Sequence, residues 1–118
     1  MTKRHKVYFF TTCSDHIQRM HMGYTYDDLP GLVIHREIKS VDPHGITCYT
    51  KGWIVSHLGS GYSVGASEYW RTLAQARAYA QYLCKITSWQ RPKADIRREL
   101  KPNGQHVIIA AQQHAASH

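Results

Sequence analysis

The stretch 72–89, TLAQARAYAQYLCKITSW, most constrains the fold, because it joins a helix start signal to an apolar stripe of helical period. Thr72 and Gln75 stand at capping-box spacing, where hydroxyl and amide satisfy each other's unpaired backbone donors in the first turn. At 100° per residue Leu73, Ala76, Ala80, Leu83, Cys84 and Thr87 share one face, joined at its edge by Tyr79 and Ile86. Such a stripe needs a surface to cover. The small side chains of Ala76 and Ala80 permit close approach, so Tyr79 is expected to pack beside the contact rather than within it. Arg77, Gln81 and Lys85 recur every fourth residue as a polar stripe.

The preceding residues supply a sheet. Trp53, Val55 and His57 alternate with Ile54, Ser56 and Leu58, and Gly59, Ser60 and Gly61 close a hairpin whose turn needs the positive φ that glycine tolerates. Residues 62–64 return antiparallel, and with 46–50 they predict a three-stranded meander over 46–66. Upstream, KVYFFTT at 6–12 reads as a central strand, since its apolar positions are consecutive. Residues 31–38 form another, with Leu32, Ile34, Arg36 and Ile38 facing opposite to Val33, His35 and Glu37. Between them, Ser14 and Asp15 suit the start of a short helix over 14–22, with Ile17, Met20 and His21 inward and Gly23 as its stop, followed by a turn around Asp27, Asp28 and Pro30. Asp42-Pro43 and Gly45 break the chain before residue 46.

Downstream, Pro92 interrupts the main helix at 73–89 and opens a second short one near 93–101, whose apolar pair is Ile96 and Leu100. Asn103-Gly104 signals a turn, 107–110 a last strand, and 111–118 a weakly docked tail. The chain thus reads as one α+β domain over 1–118, an antiparallel sheet of four or five strands packed by one main helix, with 1–5 and 111–118 flexible. A chain of 118 residues buries a core without metal or disulfide staples, so Cys13, Cys48 and Cys84, which lack close pairing, are expected as reduced and mostly buried thiols. No apolar run is long enough to span a bilayer and no signal peptide is evident, which predicts a cytoplasmic protein with no membrane partner.

The net charge of +7 is localised. Lys3, Arg4 and Lys6 give +3 in 1–6, and 7–84 is balanced, with Arg19, Arg36, Lys39, Lys51, Arg71 and Arg77 set against Asp15, Asp27, Asp28, Glu37, Asp42 and Glu68. In 85–101, Lys85, Arg91, Lys93, Arg97, Arg98 and Lys101 outweigh Asp95 and Glu99 to give +4. Localised positive charge points to a polyanionic partner. The candidate nucleic-acid contacts are Lys3, Arg4, Lys6, Arg77, Lys85, Arg91, Lys93, Arg97, Arg98 and Lys101, with Lys93, Arg97 and Lys101 on one helical stripe. The competing reading is a solvated helix, since Asp95 can pair with Arg98.

Enzymatic motifs are absent: there is no nucleophile elbow, phosphate loop or dinucleotide fingerprint, and adjacent Asp27 and Asp28 suit a solvated turn. His16 and His21 are five residues apart, which separates them on a helix, so neither metal nor cofactor is expected. A small nuclease would need His35 or His57 as general base, with Arg36 or Lys51 on the phosphate. Among the aromatic residues Tyr49, Trp53, Tyr62, Tyr69 and Trp70, the last two precede the helix cap and are expected to be exposed protein contacts.

The elements G-W-x-V-x-H, S-G-x-x-V and T-L-A-x-A are similar to the three-stranded-sheet-plus-helix domains of integrase-arm type, which lay their sheet in the DNA major groove. The resemblance covers about forty residues at generic hydrophobic and glycine positions, and between Ile46 and Val64 the sole basic residue is Lys51, where those sheets carry many. The expected function is a small non-enzymatic nucleic-acid-binding protein, DNA or RNA, acting through phosphate contacts. The alternative is an accessory factor, an inhibitor or adaptor of a phage or plasmid, docking on an acidic surface of a nucleic-acid-handling protein; a homodimer is compatible with either, and a small nuclease ranks third.

Overall fold

A computed structural model of the chain describes residues 3–12, 18–41, 43–44, 47–65, 69–101 and 104–118. Four strands, β1 (Arg4–Thr12), β2 (Gln18–Tyr26), β3 (Leu32–Val41) and β4 (Thr47–His57), form one antiparallel sheet in the order β1-β2-β3-β4. Three helices follow among the described residues, α1 (Leu73–Ile86), α2 (Lys93–Leu100) and α3 (Gly104–Ala116). The α+β class is as the sequence predicts.

β1 is an edge strand, not a central one. Its consecutive apolar residues divide between two fates: Phe9 is buried, whereas Tyr8 and Phe10 point to solvent. The expected helix at 14–22 is replaced, where described, by β2, which pairs with β1 without a break from Arg4↔Tyr26 to Thr12↔Gln18. Gly23 is therefore not a helix stop. A Cβ there would lie 2.7 Å from Val33 Cγ2 and 2.9 Å from a Phe9 ring carbon, so the missing side chain lets the strands close on each other. Met20 is exposed and His21 buried. Ser14, Asp15, His16 and Ile17 lie outside the described residues, as do Cys13, Asp42, Gly45, Ile46 and Asn103.

β3 is buried at all four positions 32–35, which alternate between the two faces of the sheet. On the helix side Leu32, Ile34 and Val55 join Tyr26, Leu29, Ala76, Ala80 and Leu83 in the main core. On the other side Phe9, Val33, His35 and Ser56 are buried, with the Phe9 and His35 ring centroids 5.0 Å apart. The two segments expected as separate strands at 46–50 and 53–58 are one strand, β4, as far as they are described. After it the chain turns through Gly61 at φ 76° and, among the described residues, returns to β4 as isolated bridges rather than a strand, Ser56↔Ser63, held by Tyr62 and Val64 backbone bonds to His57 and Val55, and Trp53↔Trp70.

α1 starts as predicted, with the Gln75 N–H donating to Thr72 Oγ1 at 3.1 Å. It ends at Ile86 rather than 89, and Trp89 folds back, its Nε1–H donating to the Leu83 carbonyl at 2.9 Å. Tyr79 is fully buried, contrary to expectation, because its hydroxyl donates to the Val64 carbonyl at 2.9 Å beneath the returning segment. That burial pushes the phenol well above its ordinary range. The expected strand at 107–110 and the tail beyond it are helical: α3 packs on α1, and its Ala111 and Ala115 are buried in the core. Alanine at these positions favours helix and lets the axes approach closely, which outweighs the β-branched run at Val107 to Ile109. Cys48 is exposed, not buried, and the half-buried Cys84 thiol is pushed up to about 11 by burial and by Asp28.

Candidate nucleic-acid interface

α2 is short and polar, and three anchors fix it. Ile96 is buried beneath it; the Asp95 and Ile96 N–H groups donate to the Pro92 carbonyl; and His57 ties the connector before it to β4. The His57 Nε2–H donates to the carbonyls of Trp89 at 2.9 Å and Arg91 at 3.0 Å, while Ser60 Oγ donates to Nδ1 at 2.8 Å. Two carbonyls at Nε2 require the proton there, which fixes the tautomer.

The two carboxylates of α2 are neutralised locally. Arg98 pairs with Asp95 at 3.6 Å, and Glu99 is held by Arg91 and by the Thr87 hydroxyl. Lys93, Arg97 and Lys101 have no carboxylate partner among the described residues, and all three line one groove of about 520 Å³ with Tyr62. No acidic side chain lines it among the described residues. Lys93 Nζ stands 3.4 Å from the centroid of the half-exposed Tyr62 ring. The groove thus presents three cations about 6 Å apart along the helix axis, beside an aromatic face. That spacing suits an extended polyanion better than one small anion.

Other predicted contacts are not brought to this groove. Arg77 donates to Asp28 at 3.1 Å and lies 4.2 Å from the Tyr26 ring centroid; Arg91 is committed to Glu99, Thr87 and Ser88. Lys85 is exposed on α1 and lines a separate depression with Pro30 and Ser88. Lys3, Arg4 and Lys6 belong to the opposite edge of the sheet, where Arg4 and Lys6 lie within β1 and Arg4 sits 4.5 Å from the Tyr24 centroid. The predicted basic surface is therefore two loci.

Of the predicted protein contacts, Tyr69 is exposed, but its ring lies on Gly52, where a Cβ would approach to 2.3 Å. Trp70 is a correction: it packs against the core, 5.2 Å from the Tyr79 ring, and exchanges two 2.8 Å backbone bonds with Trp53. Trp70→Ala is expected to cost about 2 kcal/mol and Tyr69→Ala under about 1, measured by urea unfolding.

The histidines proposed for nuclease chemistry are both buried. The His35 Nδ1–H donates to the Arg36 carbonyl at 2.9 Å and Ser56 Oγ donates to Nε2 at 2.8 Å, so this ring, like His57, has both nitrogens engaged within the fold. Arg36 lies 3.8 Å from the Trp53 ring centroid and donates to the Lys51 carbonyl. Among the described residues no group of three His, Cys, Asp or Glu converges as metal ligands would, and no helix is long and apolar enough to cross a membrane.

The contribution of Tyr62 was invisible to sequence spacing, because a turn after β4 delivers it to a helix some thirty residues later; its place in an aromatic cluster was the only signal. Comparison with known protein families, curated proteins and solved structures finds no match to the chain.

Proposed function

We propose that this chain is a small non-enzymatic nucleic-acid-binding protein whose α2 groove follows a phosphate backbone. One observation carries the reading: Lys93, Arg97 and Lys101 converge on a groove without carboxylates while both acidic side chains of α2 are paired elsewhere. Cations kept free of carboxylate partners can release condensed counterions from a nucleic acid, which drives binding without sequence preference. Tyr62 adds a stacking face at the groove wall.

Three phosphate contacts predict that log K falls against log salt with a slope of about −2 on a single strand and about −2.7 on a duplex. Fluorescence anisotropy between low and moderate salt measures it. Changing Lys93, Arg97 and Lys101 together to Gln should flatten the slope by about 2, while Arg98→Gln, which breaks only the pair with Asp95, should change it by well under 1. An unchanged slope in the triple variant would refute the reading. Salt-resistant capture of an acidic protein, with no affinity for oligonucleotides, would instead favour an accessory factor.

A further inference from the structure

The β1–β2 hairpin carries a surface that the α2 groove does not explain. Tyr8, Phe10, Met20 and Met22 are 67%, 54%, 57% and 37% exposed, the largest concentration of exposed apolar side chains on regular structure among the described residues. They form one patch, because Tyr8 is paired directly with Met22 and Phe10 with Met20, and side chains two apart on a strand share a face. By the same alternation Arg4 and Lys6 stand on that face. Neither β1 nor β2 contains an Asp or Glu, and Asp27, which follows β2, is bonded to His5 at 2.8 Å. β1 also has no strand beyond it among the described elements.

We infer that this face is a stacking platform for the unpaired bases of a single-stranded nucleic acid, with Tyr8 and Phe10 receiving bases and Arg4 and Lys6 meeting the adjoining phosphates. The inference deepens the reading above by naming the form of the ligand, and it rests on that reading. Charge and shape argue for this occupant. Arg4, Lys6, Tyr8 and Phe10 follow one another along one face at about 6.8 Å per step, so two cations lead into two rings in a single line. A polyanion that also offers flat apolar faces matches both halves of the line. A duplex does not, since its base faces are already stacked inside the helix and only its backbone could reach the patch. Met20 and Met22 beside the rings supply pliable walls that adjust to a purine or a pyrimidine, which predicts weak base preference.

The test measures anisotropy of labelled oligo(dT) and oligo(rU) of about 12 nucleotides, a length within the site sizes of known single-strand binders, against a duplex and an abasic chain of equal length. Tyr8→Ala or Phe10→Ala should weaken single-strand binding roughly 5- to 150-fold, as expected for loss of one stacked base. Tyr8→Phe should retain it, and abasic-chain and duplex affinities should hold in every variant. Circular dichroism of each variant, expected to match the unaltered protein at these exposed positions, checks that the fold is intact. As a second readout, the fluorescence of a Tyr8→Trp variant should be quenched by the oligonucleotide and not by the abasic chain. Single-strand affinity unchanged in both alanine variants overturns the platform, and leaves the groove reading standing if the Lys93, Arg97 and Lys101 triple variant still loses binding. A dimer in sedimentation that Phe10→Ala dissolves, with oligonucleotide affinity unaltered, assigns the face to a second copy of this chain and also overturns it. If no nucleic acid binds the unaltered protein, both readings fall together.

Discussion

Gly31→Ala should destabilise the protein by about 4 kcal/mol, lowering the thermal midpoint by roughly 15 °C. Gly31 sits at φ +85°, a left-handed backbone that costs a non-glycine residue about 1 kcal/mol or more. A Cβ there would also stand 2.4 Å from the Trp89 carbonyl carbon, 2.5 Å from its oxygen and 2.7 Å from the Gln90 nitrogen. These are backbone atoms that no rotamer change can withdraw. The Trp89 carbonyl accepts from His57 and the Trp89 indole donates to the Leu83 carbonyl, so moving the connector strains two buried hydrogen bonds worth about 1 kcal/mol each and lifts a buried indole. Gly59→Ala is the control. Its nearest obstacle is the edge of the His57 ring at 3.3 Å and its φ is not positive, so a change under about 1 kcal/mol is expected.

The second large effect is set by pH. His35 is lowered from 6.5 to about 4, first by burial, with the hydrogen bond to the Arg36 carbonyl acting the other way and His21 lowering it further. The unfolded chain thus takes up a proton at this residue near pH 6.5, which the folded protein refuses until about pH 4. Stability from this group is fully present above pH 6.5 and is lost as pH falls toward about 4, for a total of about 3 kcal/mol. Below that window both states are protonated and the loss stops. Other groups titrate in the same range, so the measurement is a difference: urea unfolding across pH 4 to 7 for the protein and for His35→Gln. The variant starts less stable, having lost the fit to Ser56 and Phe9, but its stability should fall less steeply by about the same 3 kcal/mol. Parallel pH profiles would show that His35 takes up its proton at the same pH in the native fold as in the unfolded chain, and would overturn this expectation.

How far the sequence disclosed this molecule depended on the range of the interactions involved. The Thr72 cap, the stripe of α1 and the Pro92 start of α2 are written within a turn or two, and all were readable. The strand at β2 was not, because QRMHMGYTY acquires its structure by pairing with β1, and Gly23 looks locally like a stop when it is a point of close packing with Phe9 and Val33. α3 is obscured for a related reason: Val107 to Ile109 favour a strand locally, while burial of Ala111 and Ala115 as α3 packs on α1 decides for helix. In the candidate groove, Lys93, Arg97 and Lys101 were legible from their fourfold spacing. What sorted them from Arg77 and Arg91 was the tertiary placement of Asp28 and Glu99, and no periodicity encodes that. The hairpin face is hidden in the sequence, where consecutive apolar residues imply a strand buried on both sides.

The strand order β1-β2-β3-β4 has a kinetic consequence. Every strand pairs only with its sequence neighbour, so the sheet needs no long loop closure and should assemble quickly, hairpin by hairpin, as the chain emerges. Its last residue is His57, whereas the helix that covers Leu32, Ile34 and Val55 is complete only at Ile86. At ribosomal speeds of about 5–20 residues per second that interval lasts on the order of 1.5–6 seconds. During it the nascent protein presents an apolar sheet with no roof, the moment at which it is most exposed to aggregation and at which a chaperone would find it.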